Sequence, residues 1–281
     1  MASTGTDKPA DTAGVRTPHD LQLEALSRIE AGLRSAMEIL RGFRAAGLKV
    51  DHKPGAAGPV TEADRAVDEA LARILPVDGE GWLSEESRDD PSRLGKRWLW
   101  AVDPLDGTRE FLAGIPECAV SVGLIEDGRA IAGGVANPAT GEVFLGSLEA
   151  GITYNGRPAR MSERRSLEGA VVLASRSEVE RGQWERYRGA PFTVRPVGSV
   201  AYKLALVAAG LAEATWTLVP KHEWDVAAGV ALVLSAGGVV RTLEGAPPRF
   251  NQPRPLFTGL AACPPALEPE VGRHLGPSVA G

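Results

Sequence analysis

Between positions 19 and 43 apolar residues return every three or four places, at Leu26, Ile29, Leu33, Ala36, Leu40 and Phe43, with Glu24, Arg28, Glu38 and Arg41 between them. That period predicts a one-sided amphipathic helix. Positions 51–59 are dense in glycine and proline and predict a loop. Thr61 then opens a second helical pattern through Val67, Leu71, Ile74 and Leu75, which Pro76 should end. A short apolar run at 82–84 leads into the acids Glu85 and Glu86 and a polar loop at 88–96. The run 98–102 predicts a buried strand that stops at Asp103-Pro104-Leu105-Asp106-Gly107-Thr108, where Pro104 removes a backbone donor and Gly107 relaxes the φ restriction. Further strands are predicted at 119–126, 130–137 and 142–148, with short turn sequences between them, which is the spacing of a hairpin meander.

After Asn155-Gly156-Arg157-Pro158 the rhythm changes. Strands are predicted at 171–175, 192–196, 212–218 and 239–243, alternating with helices at 178–188, 199–209 and 225–236. That order predicts an α/β arrangement with a mainly parallel sheet. The fold class is therefore α/β, an α+β half at 19–157 joined without a true linker to an α/β half at 158–281. Residues 1–18 are polar and predict a disordered leader. The proline-rich end predicts loops around a last short strand near 256–261 and a frayed tail.

Composition narrows the function classes. The 281 residues carry a formal net charge of −5 and no basic block, which argues against nucleic-acid polymers, whose binding requires neutralising many phosphates. Cys118 and Cys263 are the only cysteines and stand far apart, so neither a disulfide framework nor a thiolate zinc site is expected, and a reducing cytoplasm is the default compartment. The longest charge-free apolar run lies between Asp225 and Arg241, short of the roughly 20 residues that span a bilayer, so no membrane association is expected.

Candidate chemistry centres on carboxylates at the ends of elements. Glu85 and Glu86 follow an apolar run, Asp103 and Asp106 flank a strand-ending turn, and Asp225 opens an apolar helix. Held on rigid backbone, several could converge on a hard divalent cation such as Mg²⁺, with the Leu105 carbonyl as a further oxygen ligand. A helix beginning at Gly107-Thr108 would turn free N–H groups toward an anion. Each piece also has a plainer reading. Asp103 and Asp106 are turn or N-cap residues, Glu85-Glu86 is a solvated pair, and Asp225 is an N-cap, while Thr61 and Asp64 make a first helical turn. His52 and His222 read as surface residues or outer neighbours of a site, and Trp98, Trp100 and Trp224 as core.

In this order, the segments GPVTEAD (58–64), LSEES (83–87), DPLDGTREF (103–111) and EWDVAAG (223–229) resemble the inositol monophosphatase superfamily of Mg²⁺-dependent, lithium-sensitive phosphatases. The likeness spans about residues 20–262. It implies a layered α/β/α/β/α fold and two or three Mg²⁺ ions held by Glu85, Asp103, Asp106, Asp225 and the Leu105 carbonyl. It further implies that Thr108 and Asp64 hold and help deprotonate the attacking water, that Glu85 orients it, and that Gly107 and Thr108 present N–H groups to the phosphate. Glu86 matches the second acid of the family's glutamate pair.

Arg109-Glu110-Phe111, LSEE and the 174–177 segment are similar to bacterial CysQ-type 3'(2'),5'-bisphosphate nucleotidases, and Leu218 stands where inositol phosphatases tend to place an acid for sugar hydroxyls. Arg176 and Lys221 are then candidates for a second phosphate. The expected substrate is a small phosphorylated metabolite, 3'(2')-phosphoadenosine 5'-phosphate, with inositol-1-phosphate or a broader range of sugar phosphates as the alternative. A catalytically silent Mg²⁺-binding scaffold would lack a ligand or the water-activating pair, and none of these residues is missing. The resemblance leaves monomer and homodimer both open.

Overall fold

The computed structural model describes residues 17–43, 50–52 and 59–275; most of the expected leader, the centre of the 51–59 loop and the last six residues lie outside these. Helix α1 (Pro18–Gly42) begins within the expected leader, because Thr17 caps it: its hydroxyl accepts from the Asp20 N–H while the Asp20 carboxylate accepts from the Thr17 N–H. Strands β1 (Val50–His52) and β2 (Pro59–Thr61) pair at the ends of the expected loop. Helix α2 (Glu62–Ile74) has Thr61 as N-cap with Asp64 closing the same reciprocal box.

Strand β3 (Gly81–Ser84) runs parallel to β4 (Trp98–Asp106). A helical turn at Pro91–Gly95 interrupts the expected polar loop and buries Arg93. β4 does not stop at Val102. It continues to Asp106 because its register against β5 (Ala119–Glu126) shifts between Asp103 and Asp106, a bulge that absorbs Pro104 where a ladder donor is not needed. Helix α3 (Thr108–Ala113) follows. The meander then runs through β6 (Arg129–Ala136), β7 (Val143–Ser147), β8 (Gly151–Tyr154) and β9 (Arg157–Pro158), completing a seven-stranded sheet in the order β3-β4-β5-β6-β7-β8-β9. The change of rhythm near 157 falls on its last strand.

The second sheet comprises β10 (Val171–Ser175), β11 (Thr193–Val197), β12 (Ala214–Trp216), β14 (Val239–Thr242) and β16 (Leu260–Cys263), in the order β11-β10-β12-β16-β14. It is mixed, not mainly parallel, since β16 returns antiparallel between β12 and β14. The expected 178–188 helix is two pieces, α4 (Arg176–Glu180) and a turn at Glu185–Tyr187. Gly182, at φ 72°, breaks the helix and lets Trp184 stack on Trp216. Helices α5 (Val200–Ala208) and α6 (Glu223–Ser235) follow, and the small pair β13 (Lys221–His222) and β15 (Leu256–Phe257) braces the start of α6. The expected final strand is thus divided between β15 and β16, and part of the expected tail is helix α7 (Glu268–Leu275).

The layers are α/β/α/β/α. α1 and α2 bury Ile29, Leu33, Val67 and Leu71 against one face of the larger sheet, α5 and α6 fill the space between the sheets, and an aromatic core around Trp184, Tyr187, Phe192 and Trp216 backs the smaller sheet with Leu267 and Val271. α6 lies unusually close to β5 and β6. A Cβ on Gly133 would stand 2.5 Å from the Ala228 carbonyl oxygen, and one on Gly123 would stand 2.7 Å from the Ala228 nitrogen. Glycines on the sheet and small residues on the helix therefore fix how far the first turn of α6 reaches over the end of β4. Among the described residues no helix is long and apolar enough to cross a membrane.

Candidate active site

Three elements end at one place. Glu85 follows β3 and is pinned to β4 by its N–H, which donates to the Val102 carbonyl at 3.2 Å. Asp103 and Asp106 lie on the bulged end of β4, and Asp225 lies in the first turn of α6. Asp225 is not the N-cap. His222 holds that position, and the Asp225 carboxylate reaches back to accept its N–H at 2.9 Å.

One carboxylate oxygen from each of Glu85, Asp103 and Asp225 falls within 4.8 Å of the others. Asp103 is 2% exposed, and burial, then the charges of Glu85, Asp106 and Asp225, push its carboxyl well above the usual carboxylate range. Asp225 is raised by burial, then by Asp106 and Glu85. Like charges held together in this way are stabilised by a cation, and an all-oxygen donor set suits a hard divalent ion such as Mg²⁺. The residues fit such an ion.

Asp106 stands beside this trio with one oxygen already used: Oδ2 accepts from the Ser199 hydroxyl at 2.6 Å and the Ala201 N–H at 2.8 Å, both at the start of α5. Ser199 adopts φ 52°, a costly conformation for a non-glycine residue, in making that contact. The Leu105 N–H donates to Asp103 at 2.9 Å, and its carbonyl faces the Thr108 hydroxyl at 3.1 Å. The same hydroxyl lies 3.3 Å from Asp64 Oδ1. Asp64 Oδ2 accepts from the Thr61 N–H at 2.8 Å and its hydroxyl at 2.5 Å, yet burial outweighs these bonds and raises the carboxyl. Gly107 caps α3 at φ 91°, and a Cβ there would press to 3.0 Å from the Glu117 carbonyl, so the turn that places Thr108 requires glycine.

The two substrate candidates part company. Lys221 lines a cleft of about 140 Å³ with Asp106, Gly107 and Asp225. Arg176 is instead held by Glu117 at 2.5 Å, and Glu117 also accepts the Gly198 N–H. Sequence reasoning missed Lys203, which lines the same cleft from α5 and is 1% exposed. Its ammonium donates to the Ser199 carbonyl at 3.1 Å, and burial, then the nearby Lys221 charge, lowers it to about 8. A lysine within the apolar VAYKLALVA helix was the available signal, because a lysine is almost never fully buried without a partner.

Asp68 was missed as well. One turn beyond Asp64, it accepts from the Ser84 and Ser87 hydroxyls, each at 2.5 Å, and so clamps both ends of the Glu85-Glu86 segment. Glu86 is half-buried, and its N–H reaches Ser84 Oγ at 3.4 Å. Of the tryptophans read as core, Trp100 is fully buried, whereas Trp98 and Trp224 are half-buried; Trp224 carries the exposed His222 ring stacked at 4.2 Å.

Residues 22–275 match the model of the inositol monophosphatase family. An inositol-1-monophosphatase of Rhizobium meliloti is 33% identical over 247 residues, covering 84% of this chain and 89% of that protein. The crystal structure of the extragenic suppressor protein SuhB of Bartonella henselae aligns with a TM-score of 0.79 at 29% identity, covering 91% of this chain and all of that one. That of CysQ from Bacteroides thetaiotaomicron aligns with a TM-score of 0.70 at 27% identity, covering 86% and 97%.

Proposed function

Because this chain belongs to the inositol monophosphatase family, whose members are phosphatases acting on small phosphorylated substrates, we propose that it is an Mg²⁺-dependent phosphomonoesterase that prefers a substrate carrying a second phosphate, 3'(2')-phosphoadenosine 5'-phosphate, and releases AMP and phosphate. Glu85, Asp103, Asp106, Asp225 and the Leu105 carbonyl hold the cations in this reading. Bound there, the ions neutralise phosphate oxygens and make water a better nucleophile. Thr108 and Asp64 handle the proton: the hydroxyl accepts from the attacking water as it donates its own to the buried carboxylate. The N–H groups of Gly107 and Thr108 face the phosphate, and Glu85 orients the water.

The observation that carries the substrate preference is the pair Lys203 and Lys221 in the cleft shared with Asp106 and Asp225. In this reading the two lysines would take the second phosphate at the end of the cleft that also holds Gly107, and a bound anion would offset the penalty of burying Lys203. Lys203 thus takes the place first assigned to Arg176, which Glu117 occupies. The second reading, inositol-1-phosphate, is favoured by the name of the Rhizobium meliloti relative. Against it, position 218, where the resemblance looks for an acid to take a sugar hydroxyl, is a leucine packed on the aromatic core.

Lys221→Ala separates the two readings. The loss of one charge-assisted contact, about 1.5–3 kcal/mol, lowers kcat/KM for adenosine 3',5'-bisphosphate by roughly 10- to 100-fold and leaves inositol-1-phosphate within about threefold. Equal losses on both esters, or a parent enzyme that prefers inositol-1-phosphate, contradict the bisphosphate preference.

A further inference from the structure

A second buried network lies behind the acids. Arg93, 2% exposed, spreads its guanidinium over three partners: Asp89 at 2.5 Å from Nε, Asn251 Oδ1 at 2.8 Å from Nη1 and the Gln252 carbonyl at 3.0 Å from Nη2. Asn251 answers by donating its side-chain amide to the Arg93 carbonyl at 3.0 Å. The backbone N–H groups of Asn251 and Gln252 then donate to the two carboxylate oxygens of Glu223, at 2.7 and 3.0 Å. Glu223 is fully buried and stands two residues before Asp225; Asp89 stands four residues after Glu85. The chain Asp89–Arg93–Asn251/Gln252–Glu223 therefore joins the segment that carries Glu85 to the helix turn that carries Asp225.

We propose that this clasp is a positioning device that sets the separation of Glu85 and Asp225, and so the affinity of the site for its divalent cation. The proposal rests on the metal reading above. Asp68 holds the stretch from Ser84 to Ser87 to α2, and the Arg93 clasp ties Asp89, two residues further on, to α6. With both ends fixed, the two carboxylates cannot drift apart to relieve their repulsion when no cation is bound, which preorganises them for the ion. Asn251, at φ 59°, adopts a left-handed conformation that turns its backbone N–H toward Glu223 and its side chain toward Arg93. The planar fork of arginine suits the central position, because a lysine cannot span three acceptors in those directions.

The test is calorimetric titration of the full chain with Mg²⁺ in the absence of substrate, together with melting of the metal-free protein and kcat at saturating Mg²⁺. Arg93→Lys keeps the charge and loses the fork. Asn251→Gly keeps the left-handed backbone and loses both side-chain bonds. Val271→Ala, in the distant aromatic core, serves as a purely destabilising control. Arg93→Lys is expected to weaken Mg²⁺ binding at least about tenfold, and Asn251→Gly about threefold, with kcat at saturating Mg²⁺ within about threefold of the parent and the control binding Mg²⁺ as the parent does. Parent-like Mg²⁺ affinity in both clasp variants, or an equal loss in the control, overturns the clasp alone. Failure of the parent itself to bind Mg²⁺ overturns the metal reading and the clasp with it.

Discussion

Asp103→Asn is expected to lower Mg²⁺-dependent phosphate release by at least about a thousandfold, or ~4 kcal/mol of transition-state stabilisation, while the metal-free protein melts at a higher temperature than the parent. The two effects share a cause. Asparagine retains the oxygen that accepts the Leu105 N–H, so the bulge at the end of β4 keeps its shape, but it removes one of the negative charges packed with Glu85, Asp106 and Asp225. Burial and those neighbours raise the Asp103 carboxyl, so folding favours its protonated form. Ionisation therefore destabilises the metal-free fold. That penalty is absent below the unfolded carboxylate range, grows as pH rises from there toward the raised native value, and is complete above it. A neutral side chain escapes it at neutral pH and forfeits the cation. Phosphate release and scanning calorimetry of metal-free samples check both halves. An Asn variant with both normal turnover and unchanged melting would remove Asp103 from the metal set.

Thr108→Val should cost about 10²–10⁴ in kcat with little change in KM, because it deletes the hydroxyl between the Leu105 carbonyl and Asp64 while keeping the branched shape at the start of α3. Thr108→Ser restores the hydroxyl and should recover most of the rate. The contrast assigns the loss to proton handling, since a packing role would follow the methyl group, which serine lacks and valine keeps. Steady-state kinetics of the two variants at saturating Mg²⁺ decide it: equal rates in Val and Ser variants would remove Thr108 from the proton path.

The sequence carried the outer architecture well where one period dominates. α1 and α2 each bury one regular face, and β4, β5 and β6 are buried along nearly their whole length, which their helical spacing and continuous apolar runs respectively show. It misled where a single residue overrides the period. Gly182 divides the expected helix at 178–188, and the bulge carries β4 past Pro104. The mixed pairing of β16 was not visible, because apolar content does not encode strand direction.

The acids of the candidate site stood out because each sits at the end of an element. Their convergence did not, since Asp64 and Thr108 are 44 positions apart and only the family resemblance linked them before the fold did. Lys203 was signalled only by its place in an apolar helix. Asp68 and Arg93 were illegible for a further reason: a charged residue in a polar stretch shows nothing of whether a buried partner awaits it, and both acquire their meaning from tertiary contacts.

The most direct test of the metal-dependent phosphatase reading is phosphate release from adenosine 3',5'-bisphosphate by chelator-treated full-length protein as Mg²⁺ is titrated back. The expected result is negligible release without the ion and saturable recovery with it. Undiminished release in the metal-free protein, or none at saturating Mg²⁺ from this ester, inositol-1-phosphate or fructose-1,6-bisphosphate, would contradict it.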